Sequence, residues 1–521
     1  MALSGGGSQG PVRVFGSRSL CAPDEVLVKL RPEAADGAEL FSRTIGAEIL
    51  GRLPEIGVLR LRIPGAVGPL GVQPRILDHP DVLFAEPNYI LQAADIEPSD
   101  PYFLYQWGLR NTGQAIGPPE LNLPRGIAGA DINAVEAWGS DTGGSILVGV
   151  IDTGVSLAHP DLAGHLESAG RDFINDDYMA DDDHGHGTLI AGIIAAETDN
   201  GVGVSGLCWN GRILPVKVFD SDARGTVYSV SSGIVWAVDH GAQVLNMSLG
   251  GPDIVVNQTL ASAVAYAAKK DVVMAAAAGN EGTAGVWYPA AYPDVLAVSG
   301  VDMNDVYQTL QTTGGEWGSN YGSEVDLAAP AVHILSCWPE GVATKEHISL
   351  GLYAYGEKTS MATAFGSGAA ALLRSFRPDL SAAQIRATLE QTADDINKDL
   401  YPGRDNYIGY GRINLGRAVR IFDVLDPPLS LSGIKLPGVP YKPKATVLLQ
   451  WAVNPKDEGR GLSKYRVYRQ NSKAWTRLAE LTSDVLFFTE PSVPNRETAT
   501  YKVAGVNDAG VEGAAAIVIV P

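Results

Sequence analysis

The chain has 521 residues, of which 45% are hydrophobic and 19% charged, and a formal net charge of −20. That length exceeds one ordinary hydrophobic core, so two or three domains are expected, and the mix of residues excludes a disordered or fibrous chain. The negative charge argues against nucleic acid or an anionic membrane as partner, because phosphates are bound by basic faces.

Residues 1–23 open on Met1-Ala-Leu-Ser-Gly-Gly-Gly-Ser-Gln-Gly10, which has no apolar signal-peptide core and reads as a flexible tail. Alternating, β-branched runs predict strands at Asp24–Arg31 and Val58–Ile63. Val82–Leu91 should be extended, since Pro87 forbids a helix. Together these make residues 24–95 a small α+β unit. Residues 96–425 alternate strand and helix. The short apolar runs Ile146–Ile151, Ile213–Val218, Val244–Met247, Val272–Ala276 and Val295–Val298 suit strands buried on both faces. Helical stretches such as Val227–Asp239 and Thr259–Lys269 lie between them. The fold class is therefore α/β, a parallel sheet with helices on both faces, and Asp152 should lie just past a strand's carboxyl end. From 426 to 521 the helical period disappears. Val447–Trp451, Lys464–Arg469, Thr500–Ala504 and Ala514–Val520 predict a β-sandwich with Trp451 and Tyr501 inside. No stretch approaches the roughly 18 apolar residues of a membrane span. Cys21, Cys208 and Cys337 are too few and too odd in number for a disulfide framework.

Four short segments carry chemistry. Val148-Gly-Val-Ile-Asp152-Thr-Gly-Val155, His184-Gly-His186-Gly-Thr-Leu-Ile-Ala-Gly192, Ala275-Ala-Ala-Ala-Gly-Asn280-Glu-Gly282 and Lys358-Thr-Ser360-Met-Ala-Thr363 each set a polar residue among small ones. Such surroundings allow sharp turns and close approach of a substrate. A serine hydroxyl is inert until a base takes its proton, and the chain order Asp, His, Ser is one known to build such a nucleophile. The segments resemble those of the subtilisin-like serine peptidases, from about Asp100 to Arg420. The resemblance implies Ser360 as nucleophile, His186 (not His184) as base, Asp152 as its orienting partner and Asn280 as oxyanion donor.

The same resemblance implies more. Residues 24–95, ending in Glu86-Pro-Asn-Tyr89, look like an inhibitory propeptide, removed by self-cleavage between about Tyr89 and Pro98. Residues 426–521 resemble a fibronectin type III module. A protein or peptide substrate should bind as a strand between Ser248-Leu249-Gly250-Gly251 and an opposite edge at Gly225. Ala277, Ala278, Gly279 and Asn280 would form the second wall of the pocket for the residue before the scissile bond. Trp287 falls where many relatives carry glycine, and should shorten that pocket in favour of Ala or other small residues. Asp100, Asp161 and the side-chain carbonyl of Asn200, with carbonyls of Glu197, Val202 and Val204, match the family's structural calcium (Ca2+) site, and oxygen donors of this kind suit a hard ion. An extracellular or periplasmic location is expected from the family alone.

Lys358 replaces the usual glycine before the nucleophile, where a side chain obstructs backbone geometry and substrate approach. This opens an alternative, a catalytically silent binding protein of the same fold.

Overall fold

The computed structural model describes residues 12–13, 20–62, 76, 79–89, 96–251, 257–343, 347–422, 425–436, 444–454, 457, 462–471, 474–494, 498–507 and 510–521. The chain divides into two compact units, 1–94 and 95–521.

In the first unit, Leu20–Leu30 is the central strand of an antiparallel sheet. It pairs with Val12–Arg13, Val58–Arg62 and Val82–Tyr89, and Glu48–Leu53 extends the sheet beyond Val58–Arg62. Alternation explains the packing. Val26, Val28, Leu59 and Leu61 face one side and are buried against Phe41 of the Ala38–Thr44 helix. Pro87 stays within an extended strand, as its fixed φ allows.

The second unit is built on a seven-stranded parallel sheet. Its order is Leu327–Pro330, Leu296–Val301, Val273–Ala277, Val244–Met247, Leu147–Asp152, Arg212–Lys217 and Arg171–Asp172. From Leu147–Asp152 the chain winds first to one side and then to the other, which puts a switch point beside that strand's carboxyl end. Asp152 is the last residue of the strand, one place earlier than expected, because it still pairs with Lys217.

One helix, Thr359–Phe376, runs through the interior and is buried on nearly every side. Its Ala and Gly content lets it lie close to the sheet; an all-round apolar helix belongs in a core. It begins at Thr359, so Ser360 lies within its first turn.

Residues 425–521 form a three-stranded and a four-stranded antiparallel sheet that share a core of Val447, Leu449, Trp451, Tyr465, Val467, Tyr501 and Val503. Three of the strands, Leu429–Leu436, Ala474–Thr482 and Phe487–Pro494, were not predicted. They are half-exposed, so their apolar pattern is weak.

Candidate functional site

Asp152 is fully buried. Its Oδ1 accepts a 2.7 Å bond from His186 Nδ1 and a 2.8 Å bond from Thr153 N–H, while its Oδ2 is buried with no hydrogen-bond partner. His186 opens the His186–Ala195 helix. Gly185 before it has φ 106°, and a Cβ there would fall 2.5 Å from the Trp338 ring. Gly187 after it is equally constrained, since a Cβ would lie 2.0 Å from Gly154 O and 3.1 Å from Asp152 Cβ. The glycines are what let the His and Asp segments meet. His184 instead accepts the His186 N–H at 3.3 Å through its own Nδ1.

A buried acid that the sequence reading missed clamps this meeting. Asp182 accepts Thr153 Oγ1 at 2.9 Å, the His184 and Gly185 N–H groups at 3.0 and 2.9 Å, and Thr188 through its N–H and hydroxyl at 2.9 and 2.6 Å. Burial raises its pKa despite those bonds. At His186, burial disfavours the imidazolium, but the charge and hydrogen bond of Asp152, with Asp182 behind, outweigh it and raise the pKa. Lys217, also missed, is a buried cation bonded to Thr153 O at 2.7 Å and Asp183 Oδ1 at 2.6 Å.

Ser360 and Ser248 exchange hydrogen bonds. Ser248 Oγ donates to Ser360 O at 2.9 Å, and Ser360 Oγ donates to Ser248 O at 3.4 Å. No described bond joins Ser360 to His186; such contacts commonly tighten only when substrate binds. The Ser360 N–H, in the first turn of its helix, faces no intrahelical acceptor. Asn280 Oδ1 is held by Thr359 N–H at 2.9 Å and Thr359 Oγ1 at 2.8 Å. That leaves its Nδ2 as the group able to donate elsewhere. Trp287 N–H donates to Ala278 O at 2.9 Å, and its ring spans the two expected pocket walls. A Cβ on Gly279 would lie 2.9 Å from Trp287 Cδ2, and one on Gly250 3.3 Å from Cε3. Leu249 is buried, and Gly251 bridges to Tyr288. Gly225 is exposed just before the Thr226-capped helix.

Residues 143–411 match the model of the Subtilase family, and residues 21–88 match the fervidolysin N-terminal prodomain. The chain belongs to the subtilase family. This subtilase is 39% identical to the thermophilic serine proteinase of Bacillus sp. (strain AK1) over 66% of its own length and 74% of that protein's. Thermitase of Thermoactinomyces vulgaris is 38% identical over 62% of this chain and 99% of its own. Fervidolysin of Fervidobacterium pennivorans is 32% identical over 73% and 56%. A solved protease from Pseudoalteromonas arctica PAMC 21717 superposes with a TM-score of 0.51 at 27% identity, covering 62% of this chain and 98% of that one. The subtilase is a serine endopeptidase with an N-terminal prodomain. Among the described residues no helix is long and apolar enough to cross a membrane.

The residues expected around calcium are brought together in this subtilase. Asp161 Oδ1 accepts Asn200 Nδ2 at 2.9 Å and its Oδ2 accepts Val204 N–H at 2.9 Å. Asp100 accepts the Asp199 and Asn200 N–H groups at 2.9 and 3.1 Å, and Glu197 N–H reaches Asp161 O. Asn200 departs from expectation. Its Oδ1 takes Val202 N–H at 2.6 Å, so it turns nitrogen, not oxygen, toward Asp161. Burial, reinforced by the charge of Asp100, pushes Asp161 up to about 6. His159 only supports this corner, with Nδ1 on Asp161 N–H and Nε2 on Leu352 O. No cluster of three His, Cys, Asp or Glu side chains arranged as metal ligands occurs among the described residues. Cys208 and Cys337 are buried free thiols.

Proposed function

We propose that this subtilase cleaves peptide bonds by attack of Ser360 Oγ on the scissile carbonyl. His186 takes the serine proton and passes it to the departing amine, and water then releases the acyl group. Asp152 keeps the Nδ1 proton on the imidazole and stabilises the imidazolium. Asn280 Nδ2 and Ser360 N–H receive the oxyanion. The observation that carries this reading is the His186 Nδ1 bond to buried Asp152 at 2.7 Å, set beside a serine in the first turn of a buried helix. Ser360 would turn from Ser248 O to His186 as substrate enters.

The substrate would lie as a strand between Ser248–Gly251 and Gly225, gripped through its backbone. The Trp287 ring between Gly250 and Gly279 supports a shallow pocket that takes Ala before the scissile bond. Residues 24–95 would act as an intramolecular inhibitor until self-cleavage between about Tyr89 and Pro98, a span partly outside the described residues. The prodomain match supports this. Residues 426–521 stand as a fibronectin type III-like accessory module, and an extracellular site of action follows from the family resemblance.

Calcium fits the donor chemistry at Asp161. Asp100 and Asp161 are two buried carboxylates whose charges bear on each other, a pairing that a hard cation would relieve, although the groups now on their oxygens are N–H donors. Asp100, Asp161 and carbonyls of Glu197, Val202 and Val204 would hold it, with Asn200 joining once its amide turns. The ion would stabilise the fold and take no part in the reaction.

Intact mass and N-terminal sequencing of the protein beside its Ser360→Ala variant test the central reading. The expected result is a lost N-terminal fragment in the wild type and a full-length variant. Two full-length proteins, with no hydrolysis of an Ala-ending peptide ester, would sink it.

A further inference from the structure

The strand Tyr353–Gly356 pairs antiparallel with Ile334–Cys337, and the pairing ends with Gly356 opposite Ile334. Just beyond, both chains turn through left-handed backbone, His333 with φ 51° and Lys358 with φ 91° and ψ 171°. The conformation of Lys358 is essentially glycine's own, and another residue keeps it only where the surroundings over-determine it. Here three successive residues are each tied down. Half-buried Glu357 sets Oε1 2.8 Å from His333 Nδ1 and accepts the indole N–H of buried Trp317 on Oε2 at 3.3 Å. The His333 backbone N–H bonds the same carboxylate. Burial opposes the charge on Glu357, but these bonds outweigh it and hold its pKa below the usual carboxylate value. Lys358 N–H donates to Ala331 O at 2.9 Å, and Thr359 holds Asn280. The strained residue is thus pinned on both sides, with Ser360 directly after it.

We propose that Glu357 is a positioning residue that, clasped by His333 and Trp317, keeps Lys358 in its glycine-like conformation and so keeps Ser360 in place for attack. This deepens the protease reading of Ser360 and rests on it. A relaxed Lys358 would rotate the peptide leading into Thr359, which loosens the grip on Asn280 and shifts the serine together. A glycine at this place holds the same conformation freely. The clasp is what allows a lysine to stand there in a working enzyme.

The test is kcat and KM per folded molecule on one peptide amide with Ala before the scissile bond. Glu357→Ala should lower kcat about tenfold, the rate equivalent of the strain that one such residue stores, with KM little changed. In a Lys358→Gly background the same Glu357→Ala change should cost less than about twofold, because glycine needs no clasp. His333→Ala should also lower kcat. His333→Asn should restore it, since its amide nitrogen can stand where Nδ1 stood and Asn tolerates a positive φ. An equal loss from Glu357→Ala in both backgrounds, a wild-type kcat in that variant, or a change confined to KM overturns the clasp and leaves the protease reading standing. Should Glu357→Ala fail to fold, His333→Ala and His333→Asn decide, and equal rates in those two overturn it. If the wild type cuts no peptide and stays full length, the protease reading falls, and this one with it.

Discussion

Asn280 Oδ1 is gripped twice by Thr359, through its backbone N–H at 2.9 Å and its hydroxyl at 2.8 Å. A side-chain amide fixed by its oxygen has a fixed nitrogen, which is what an oxyanion donor needs before the charge develops. Asn280→Ala should lower kcat by about 10²–10³, the cost when a subtilisin loses its equivalent donor, with KM little changed. Thr359→Val keeps the backbone bond and removes the hydroxyl, so a smaller loss in kcat is expected, restored by Thr359→Ser. Steady-state kinetics on one peptide decide it. A Thr359→Val enzyme with normal kcat would show that the grip is not what orients Asn280.

The pH profile should carry the mark of His186. Burial works against its charged form, Asp152 and Asp182 more than compensate, and the pKa rises above the ordinary 6.5. Activity needs the neutral imidazole, so a raised pKa moves the acid limb of kcat/KM to higher pH. Lys358 pushes the other way. Its replacement by Met should therefore shift the limb further upward. A limb that stays put or falls would contradict this arrangement of charges.

Strain at Lys358 predicts a gain on its removal. A side chain held in a glycine-only region costs about 1–3 kcal/mol, and a new glycine gives back about 0.4–1 kcal/mol through unfolded-state entropy. In a Ser360→Ala background, which prevents self-digestion, Lys358→Gly should be more stable by about 1 kcal/mol at the balance of those two effects. Calorimetry of the pair checks this, and a lower Tm in the double variant would refute it.

Trp287→Gly should deepen the pocket between Gly250 and Gly279. A peptide library profiled before and after should move from Ala toward Phe and Leu in the position preceding the cut. An unchanged Ala preference would place the limit elsewhere than the Trp287 ring.

Calcium binding should appear in thermal stability. A ligand held only by the folded state adds about 2.7 kcal/mol at a hundred times its Kd, so excess chelator should lower the Tm of the Ser360→Ala protein. Asp161→Asn should start lower and respond little to chelator. Equal melting curves with and without chelator in the parent would remove calcium from this corner.

Much of the active region was legible because its polar residues each sit in a short local motif. Asp152, His186 and Asn280 are marked by neighbouring glycines that any fold must accommodate, and Ser360 by the Lys358-Thr-Ser360-Met-Ala-Thr363 segment. Asp182 was not legible, since Asp181-Asp182-Asp183 reads as a solvated acidic run and only the fold buries the middle residue under Thr153 and Thr188. The orientation of the Asn200 amide, nitrogen toward Asp161, was not legible for a related reason, as a side-chain amide can turn either end to a neighbour. Lys358 stood out in the sequence as a side chain where glycine is usual, but its φ of 91° required the backbone. The half-exposed strands of the C-terminal sheets carry too little apolar contrast to be found by alternation alone.

Ser360, the proposed nucleophile, rides on Thr359–Phe376, a helix sheathed by the sheet and its partners. A segment without a free face cannot open by local fraying, and its amides exchange only through the largest unfolding events. Loss of the reactive serine and loss of the whole fold should thus be a single event. An enzyme that digests loosened chains, its own copies included, keeps its cutting group in the part of itself that loosens last.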